Sequence, residues 1–143
     1  MYTQFLNERA GIEADVTVTR LSGTAYLVVT PAATRLADET WMRRHVGDRN
    51  VVITDVTASE GVLAVMGPNA RKLMQAVSPN DFSNDVNPFG TAQEIEIGMG
   101  LARVHRVSYV GELGWEIYVG ADQAGHIFET LWNSGQDHGL KLC

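Results

Sequence analysis

The chain has one cysteine, Cys143, and it is the last residue. A single cysteine cannot form an intrachain disulfide or a cluster of thiolate metal ligands. Chains without disulfides are typical of reducing compartments, and no basic, apolar leader follows Met1. We therefore expect a cytoplasmic location, or the mitochondrial matrix if the source is eukaryotic.

The chain also lacks a long apolar run and an excess of positive charge. No uninterrupted apolar stretch reaches the roughly 20 residues that a membrane span requires. The net charge is −6 and the pI is near 5.1, whereas a nucleic-acid or membrane-surface binder normally carries a basic face. These values argue against nucleic-acid and membrane partners and leave a soluble globular protein as the expected class.

Several common site motifs are missing as well. There is no G-x-G-x-x-G turn after a strand, no Walker loop and no G-x-S-x-G elbow, and the four histidines lack metal-ligand spacing. The sequence therefore gives no signal for a nucleotide site, a metal centre or a serine hydrolase.

Hydrophobic periodicity predicts a series of strands interrupted by three helices. Strands are predicted over 2–6, 15–21, 25–30, 51–56, 61–66, 91–97, 101–109 and 115–119. The run 61–66 is apolar throughout, which favours a central strand covered on both faces. Helices are predicted over 32–46, from about Pro68 to Val77, and over 121–137. This order indicates an α+β fold, with mostly antiparallel sheets and three helices.

We expect residues 1–143 to form a single partial domain, truncated at both ends. Strand-like sequence begins immediately after Met1, and the chain stops within the apolar run Leu140–Cys143. With 143 residues, the chain is long enough for one domain with a substantial core.

The stretch from Arg103 to Val119 contains the sharpest candidate for a functional residue. Two apolar-rich segments flank a turn at 111–114, which predicts a hairpin. Glu116 stands between Trp115 and Ile117 on the second segment. An unpaired buried carboxylate costs several kcal/mol or takes up a proton. Glu116 is therefore either an acid with a dedicated partner or a solvated residue on an edge strand.

Two further charged residues are candidates. Asp15 lies beside Thr17 and Thr19 on one face of a predicted strand, and it is either a site acid or a turn-capping residue. Arg106 could form an ion pair with any of these acids. The pattern alone favours the structural role for both residues, a turn cap for Asp15 and an ion pair for Arg106.

Three stretches resemble the folate-binding aminomethyltransferase domain, the family of the glycine-cleavage T-protein. The segment Tyr109–Glu116 matches its Y-x-G-E-x-G-[FW]-E signature. The segment Leu6–Asp15 is similar to its N-x-x-G-G-I-x-x-D stretch, with Ala10 where the family most often has glycine. The segment Leu63–Pro68 looks like L-x-x-x-G-P. The order and spacing of the three motifs agree with those of the family across the chain. The residues within the motifs are most similar to those of sarcosine and dimethylglycine dehydrogenases.

The resemblance implies a tetrahydrofolate pocket. It places the pteridine against Tyr109 and Glu116, whose carboxylate can accept two hydrogen bonds from the pterin edge. It places Asp15 near the reactive nitrogens of folate, where a carboxylate would stabilise cationic character during one-carbon transfer. It also marks Arg106 as a cofactor-binding position, without a role that chemistry alone assigns.

The resemblance further implies a larger enzyme. In such dehydrogenases, FAD in an N-terminal region oxidises an N-methyl group, and the folate domain captures the one-carbon unit as methylenetetrahydrofolate. FAD is thus expected only in a region outside this sequence, and the partners are folate and the rest of the parent chain. The isolated chain is expected to be inactive. The alternatives are a stand-alone aminomethyltransferase and a non-catalytic folate-binding or docking module.

Overall fold

The computed structural model describes residues 1–143, which divide into two compact units, Met1–Asp55 and Val56–Cys143. Together they contain three α-helices and two antiparallel sheets, which confirms the expected fold class. The expectation of a single partial domain stays a prediction. No helix is long and apolar enough to cross a membrane.

The first unit is a three-stranded antiparallel meander that carries one helix. Strands β1 (Tyr2–Leu6), β2 (Ile12–Arg20) and β3 (Tyr26–Val29) follow each other in the sheet. A 3₁₀ turn, Ala32–Thr34, leads into α1 (Arg35–His45). Alternation along β2 buries Ala14 and Val16 and exposes Asp15 between them, because successive side chains of a strand point to opposite faces.

The backbone conformation of the β1–β2 turn favours glycine at position 10, where this chain has alanine. Ala10 has φ = +60°, in the left-handed region where a Cβ atom costs roughly 1–2 kcal/mol. The Asn7 side chain stabilises the turn by accepting hydrogen bonds from the backbone N–H groups of Arg9 (3.0 Å) and Gly11 (2.9 Å). The turn therefore forms with alanine at this position.

The second unit is a four-stranded antiparallel sheet with two helices on one face. Its sheet order is β4-β7-β6-β5. The helices pack their apolar residues against one side of this sheet, where Trp115, Ile117, Ile127 and Leu131 are buried together. The elements are β4 (Glu60–Met66), α2 (Ala70–Val77), β5 (Ala92–Ile97), β6 (Gly100–His105), β7 (Gly114–Gly120) and α3 (Ala124–Gly135).

Three strand predictions were wrong in detail. Residues 51–56 form no strand, and Val52 is largely exposed. The run 61–66 forms an edge strand rather than a central one, so Val62 remains 53 % exposed while Val65 is buried. The predicted strand 101–109 ends at His105, and residues 106–113 form a loop between β6 and β7 instead of a tight hairpin turn.

Candidate functional site

Strand β7 is an inner strand of its sheet, and its alternation separates two environments. Trp115, Ile117 and Val119 point to the helix-covered side and are buried in the core. Glu116 and Tyr118 point to the opposite face. The solvated edge position considered for Glu116 is thereby excluded, because β4 and β6 flank β7 on both sides.

Glu116 is held by an aromatic hydroxyl on its own strand. The Tyr118 hydroxyl donates a hydrogen bond of 2.6 Å to Glu116 Oε2. Glu116 Oε1 makes no hydrogen bond, and the side chain is only partly buried. The carboxylate therefore keeps one oxygen, and unused lone pairs on the other, for a ligand N–H group.

His105 lies opposite Glu116 in the β6–β7 register and completes this cluster. Its ring packs against the Tyr118 ring with a centroid separation of 4.4 Å. His105 is 1 % exposed and Tyr118 is 5 % exposed. The cluster of Glu116, Tyr118 and His105, which we call the acid–tyrosine–histidine cluster, is thus a polar group set in a poorly solvated part of the sheet.

Burial dominates the protonation equilibria of the cluster. The pKa of His105 is lowered to about 4, chiefly by burial and to a smaller extent by the positive charge of the nearby Arg103 guanidinium. Burial also raises the pKa of Tyr118, and the hydrogen bond to Glu116 adds to this increase. At neutral pH the imidazole is therefore uncharged, and the tyrosine remains a hydrogen-bond donor.

Arg103 forms the nearest ion pair on the same sheet face. Its guanidinium lies 3.7 Å from Glu60 Oε1. Arg103 is paired with Tyr118 across β6 and β7, and Glu60 lies on β4, the edge strand next to β7. A pair at this distance between partly exposed side chains contributes little to stability. Its effect on the cluster is mainly the positive charge that disfavours a protonated His105.

Tyr109 does not take part in the acid–tyrosine–histidine cluster. It sits in the loop 106–113, is 95 % exposed, and forms no hydrogen bond with Glu116. Its ring and hydroxyl face solvent and are available to a ligand. Its assignment as a pteridine contact stays a prediction.

Arg106 points to the other side of the sheet from Glu116. Its guanidinium lies 5.4 Å from the centroid of the Trp115 ring. It donates hydrogen bonds to Asn84 Oδ1 (2.8 Å) and to the Asn87 backbone oxygen (2.7 Å). In this position Arg106 ties the loop after α2 to the core, and its cofactor-binding assignment stays a prediction.

Asp15 belongs to the first unit and has its own partners there. It lies within β2 rather than at its start, on the exposed side. Its carboxylate accepts hydrogen bonds from the Tyr2 hydroxyl (2.5 Å) and from Gln4 Nε2 (3.0 Å), both on β1. Asp15 is therefore not a turn-capping acid, and its role towards folate stays a prediction.

Two members of the cluster were missed in the sequence. Tyr118 could have been found, because residues i and i+2 of a strand share a face, and a tyrosine there can reach Glu116. His105 carried no such signal, since its position opposite Glu116 depends on the strand register. Trp115 is core, as its apolar surroundings suggested, and its indole N–H donates to the Asn87 side chain.

Comparison with known proteins identifies the family. The model of the GCVT N-terminal domain matches residues 1–143, the whole chain. The chain belongs to the GCVT N-terminal domain family. This result confirms the resemblance seen in the three sequence motifs.

Members of this family with similar sequences include oxidoreductases and aminomethyltransferases. The chain is 43 % identical to 4-methylaminobutanoate oxidase (formaldehyde-forming) of Paenarthrobacter nicotinovorans, over 100 % of the chain and 17 % of that protein. It is 32 % identical to mitochondrial dimethylglycine dehydrogenase of Rattus norvegicus, over 96 % of the chain and 16 % of that protein. It is 31 % identical to an aminomethyltransferase of Geobacillus thermodenitrificans, over 99 % of the chain and 38 % of that protein. The GCVT-type chain thus spans well under half of each relative.

A solved structure shares the fold. Heterotetrameric sarcosine oxidase from Corynebacterium sp. U-96, in complex with pyrrole 2-carboxylate, aligns with a TM-score of 0.71. The alignment covers 92 % of this chain and 67 % of that chain, at 16 % sequence identity. At this identity, the likeness establishes that the GCVT-type fold is shared.

Proposed function

We propose that this chain is the tetrahydrofolate-binding part of an oxidoreductase that demethylates an N-methyl amino acid. The bound folate would accept the one-carbon unit and carry it away as methylenetetrahydrofolate. The relatives named as oxidases and dehydrogenases of N-methyl amino acids support the oxidoreductase context. Folate binding is the property that the proposal assigns to this chain itself.

The observation that carries the proposal is the state of the Glu116 carboxylate. A pterin edge presents an N–H group beside an NH₂ group, and two acceptor oxygens match such a pair. Glu116 offers Oε1 without a hydrogen bond, and Oε2 receives only the bond from Tyr118. A carboxylate accepts up to about four hydrogen bonds, so the residues present fit the proposed ligand.

The surroundings of Glu116 favour a selective contact. The Tyr118 hydroxyl holds the carboxylate by a hydrogen bond, and the neutral, buried His105 ring packs against Tyr118, so water is largely excluded beside this bond. A charge-assisted hydrogen bond is stronger where water is partly excluded. A ligand that lacks the paired N–H groups would leave Glu116 unsatisfied, which costs binding energy.

The remaining predicted residues have supporting roles in the proposal. Tyr109 would add an aromatic contact from the loop 106–113, where its ring is exposed. Asp15 would contribute electrostatic stabilisation of positive charge on the folate nitrogens. Oxidation of the methylamine is assigned to another region of the parent protein, where FAD is expected.

Titration with tetrahydrofolate, followed by calorimetry, tests the proposal. In the Glu116→Gln variant, one acceptor oxygen is replaced by a donor, and binding should weaken about tenfold or more. The matched control is Glu129→Gln, which removes the same charge from an exposed position on α3. If Glu116→Gln binds folate as tightly as the control does, the assignment of Glu116 is wrong.

A further inference from the structure

Trp115 is flanked by two arginines on the helix-covered side of the second sheet. The guanidinium carbon of Arg106 lies 5.4 Å from the indole centroid, and that of Arg71, from the first turn of α2, lies 6.0 Å from it. A cation above an indole ring is stabilised by the ring quadrupole. The indole therefore supports two positive charges at one place.

The two arginines share a single neutral acceptor. Arg71 donates a 2.6 Å hydrogen bond to Asn84 Oδ1, and Arg106 donates a 2.8 Å hydrogen bond to the same oxygen. Convergence on one oxygen holds both guanidinium groups in neighbouring positions. Asn84 is an amide, however, so it satisfies hydrogen bonds without balancing either charge.

No carboxylate balances this pair of cations. The three ion pairs of the chain involve other basic residues, namely Arg35, Arg43 and Arg103. Burial lowers the pKa of Arg106, and the positive charge of Arg71 lowers it as well. Two adjacent cations without a counter-charge are unusual in a chain whose net charge is −6.

Donor groups also remain unused. The Arg71 Nε–H is buried and has no hydrogen-bond partner. Each guanidinium has five N–H donors in a planar fork, and Arg71 uses one of them while Arg106 uses two. Both side chains are only partly buried, so neither arginine is closed off from solvent.

We propose that Arg71 and Arg106, aligned by Asn84 and Trp115, form a binding site for an oxyanion, the carboxylate or phosphate group of a small molecule. Guanidinium forks match these groups by paired N–H···O hydrogen bonds. A bound oxyanion supplies the missing counter-charge and accepts hydrogen bonds from the unused donors. The site lies on the face of the sheet opposite Glu116, so it is separate from the proposed folate contact.

The competing interpretation is that the arginines serve only to clamp the loop after α2 onto Trp115. A clamp needs no ligand and predicts no saturable response to anions. An oxyanion site predicts a response confined to these residues and dependent on both charges. The two interpretations therefore differ in an experiment that detects the arginine side chains directly.

The test is an NMR titration of the ¹⁵N-labelled chain, recording the arginine Nε–H and tryptophan indole N–H signals. Sodium acetate and sodium phosphate are added separately, with ionic strength held constant by sodium chloride, since chloride screens charge without forked hydrogen bonding. We expect saturable shifts of the Arg71, Arg106 and Trp115 signals. Tighter binding of one salt identifies the group as a carboxylate or a phosphate.

Variants complete the test. Arg71→Gln should weaken oxyanion binding about tenfold, while Arg71→Lys, which keeps the charge, should lose less. The matched control is Arg43→Gln, because Arg43 already has a carboxylate partner in Glu39, and this variant should bind as the parent chain does. Absence of saturable shifts in the parent chain overturns the proposal, as does equal binding by Arg71→Gln and Arg43→Gln. Should Arg71→Gln fail to fold, the parent titration and Arg71→Lys still decide the question.

Discussion

The buried His105 makes the stability of this protein sensitive to mild acid. The pKa of His105 is lowered from 6.5 to about 4 in the folded chain, chiefly by burial and then by Arg103. As the pH falls from 6.5 towards 4, His105 becomes protonated in the unfolded chain but stays neutral in the folded chain. Unfolding is therefore favoured progressively over this range, and the stabilisation is fully present only above about pH 6.5.

The magnitude follows from the size of the shift. A difference of about 2.5 pKa units corresponds to about 3 kcal/mol at most, since each unit is worth about 1.4 kcal/mol. At pH 5 the linkage relation gives a loss of about 2 kcal/mol relative to neutral pH. This is a large part of the roughly 5–15 kcal/mol by which domains are usually stable.

Urea unfolding at several values between pH 7.5 and pH 5, followed by far-UV circular dichroism, measures this dependence. The His105→Gln variant has no imidazole at this position, so its free energy of unfolding should change by about 2 kcal/mol less over that range. The matched control is His126→Gln, at an exposed position on α3, which should retain the slope of the parent chain. Equal slopes for His105→Gln and the parent chain would refute the assignment of a buried neutral imidazole.

Two further predictions concern the same sheet and its helix. Tyr118→Phe removes the donor to Glu116 and should weaken tetrahydrofolate binding several-fold, because the carboxylate is no longer held in position. The far-UV spectrum should stay unchanged, since the aromatic ring remains. Calorimetry that shows unchanged affinity would contradict a positioning role. Gly114→Ala should destabilise the chain by about 1–3 kcal/mol, because a Cβ atom there would lie 2.8 Å from the Val65 carbonyl oxygen. Gly125→Ala is its control, because space is open at this helical position. Thermal unfolding should show that Gly125→Ala raises the free energy of unfolding by up to about 1 kcal/mol. If Gly125→Ala instead destabilises the chain as much as Gly114→Ala does, the steric explanation is contradicted.

Elements with strong local periodicity were predicted well from the sequence. The alternation that buries Ile95 and Ile97 and exposes Glu94 and Glu96 marked β5 correctly. The apolar positions of α2 and α3 likewise marked the faces that pack on the sheet. In these segments the pattern reflects one environment per face, which a local reading can recover.

Segments whose environment depends on distant partners were predicted less well. The run 51–56 contains β-branched residues, yet no neighbouring strand pairs with it, and Arg43 donates instead to the Ile53 backbone oxygen. The run 61–66 is as apolar as a central strand, but its position at the sheet edge follows from pairing with β7 alone. Local composition reports that a segment can form a strand, whereas its neighbours decide whether it does and where it lies.

The same distinction governs the candidate site. Proximity in a motif suggested that Arg106 and Glu116 act together, yet strand pairing places His105 opposite Glu116. Because side chains alternate along the strand direction, the residue after His105 points to the other face, where Trp115 lies beside it. The 5.4 Å separation of the Arg106 guanidinium from the Trp115 ring fits this parity. His105 and Arg106 therefore face opposite sides of the sheet. His105 lies with Glu116, the carboxylate suited to a folate, whereas Arg106 lies with Trp115 and is suited to an oxyanion. The register of β6 against β7 determines which residue of β7 each of them meets.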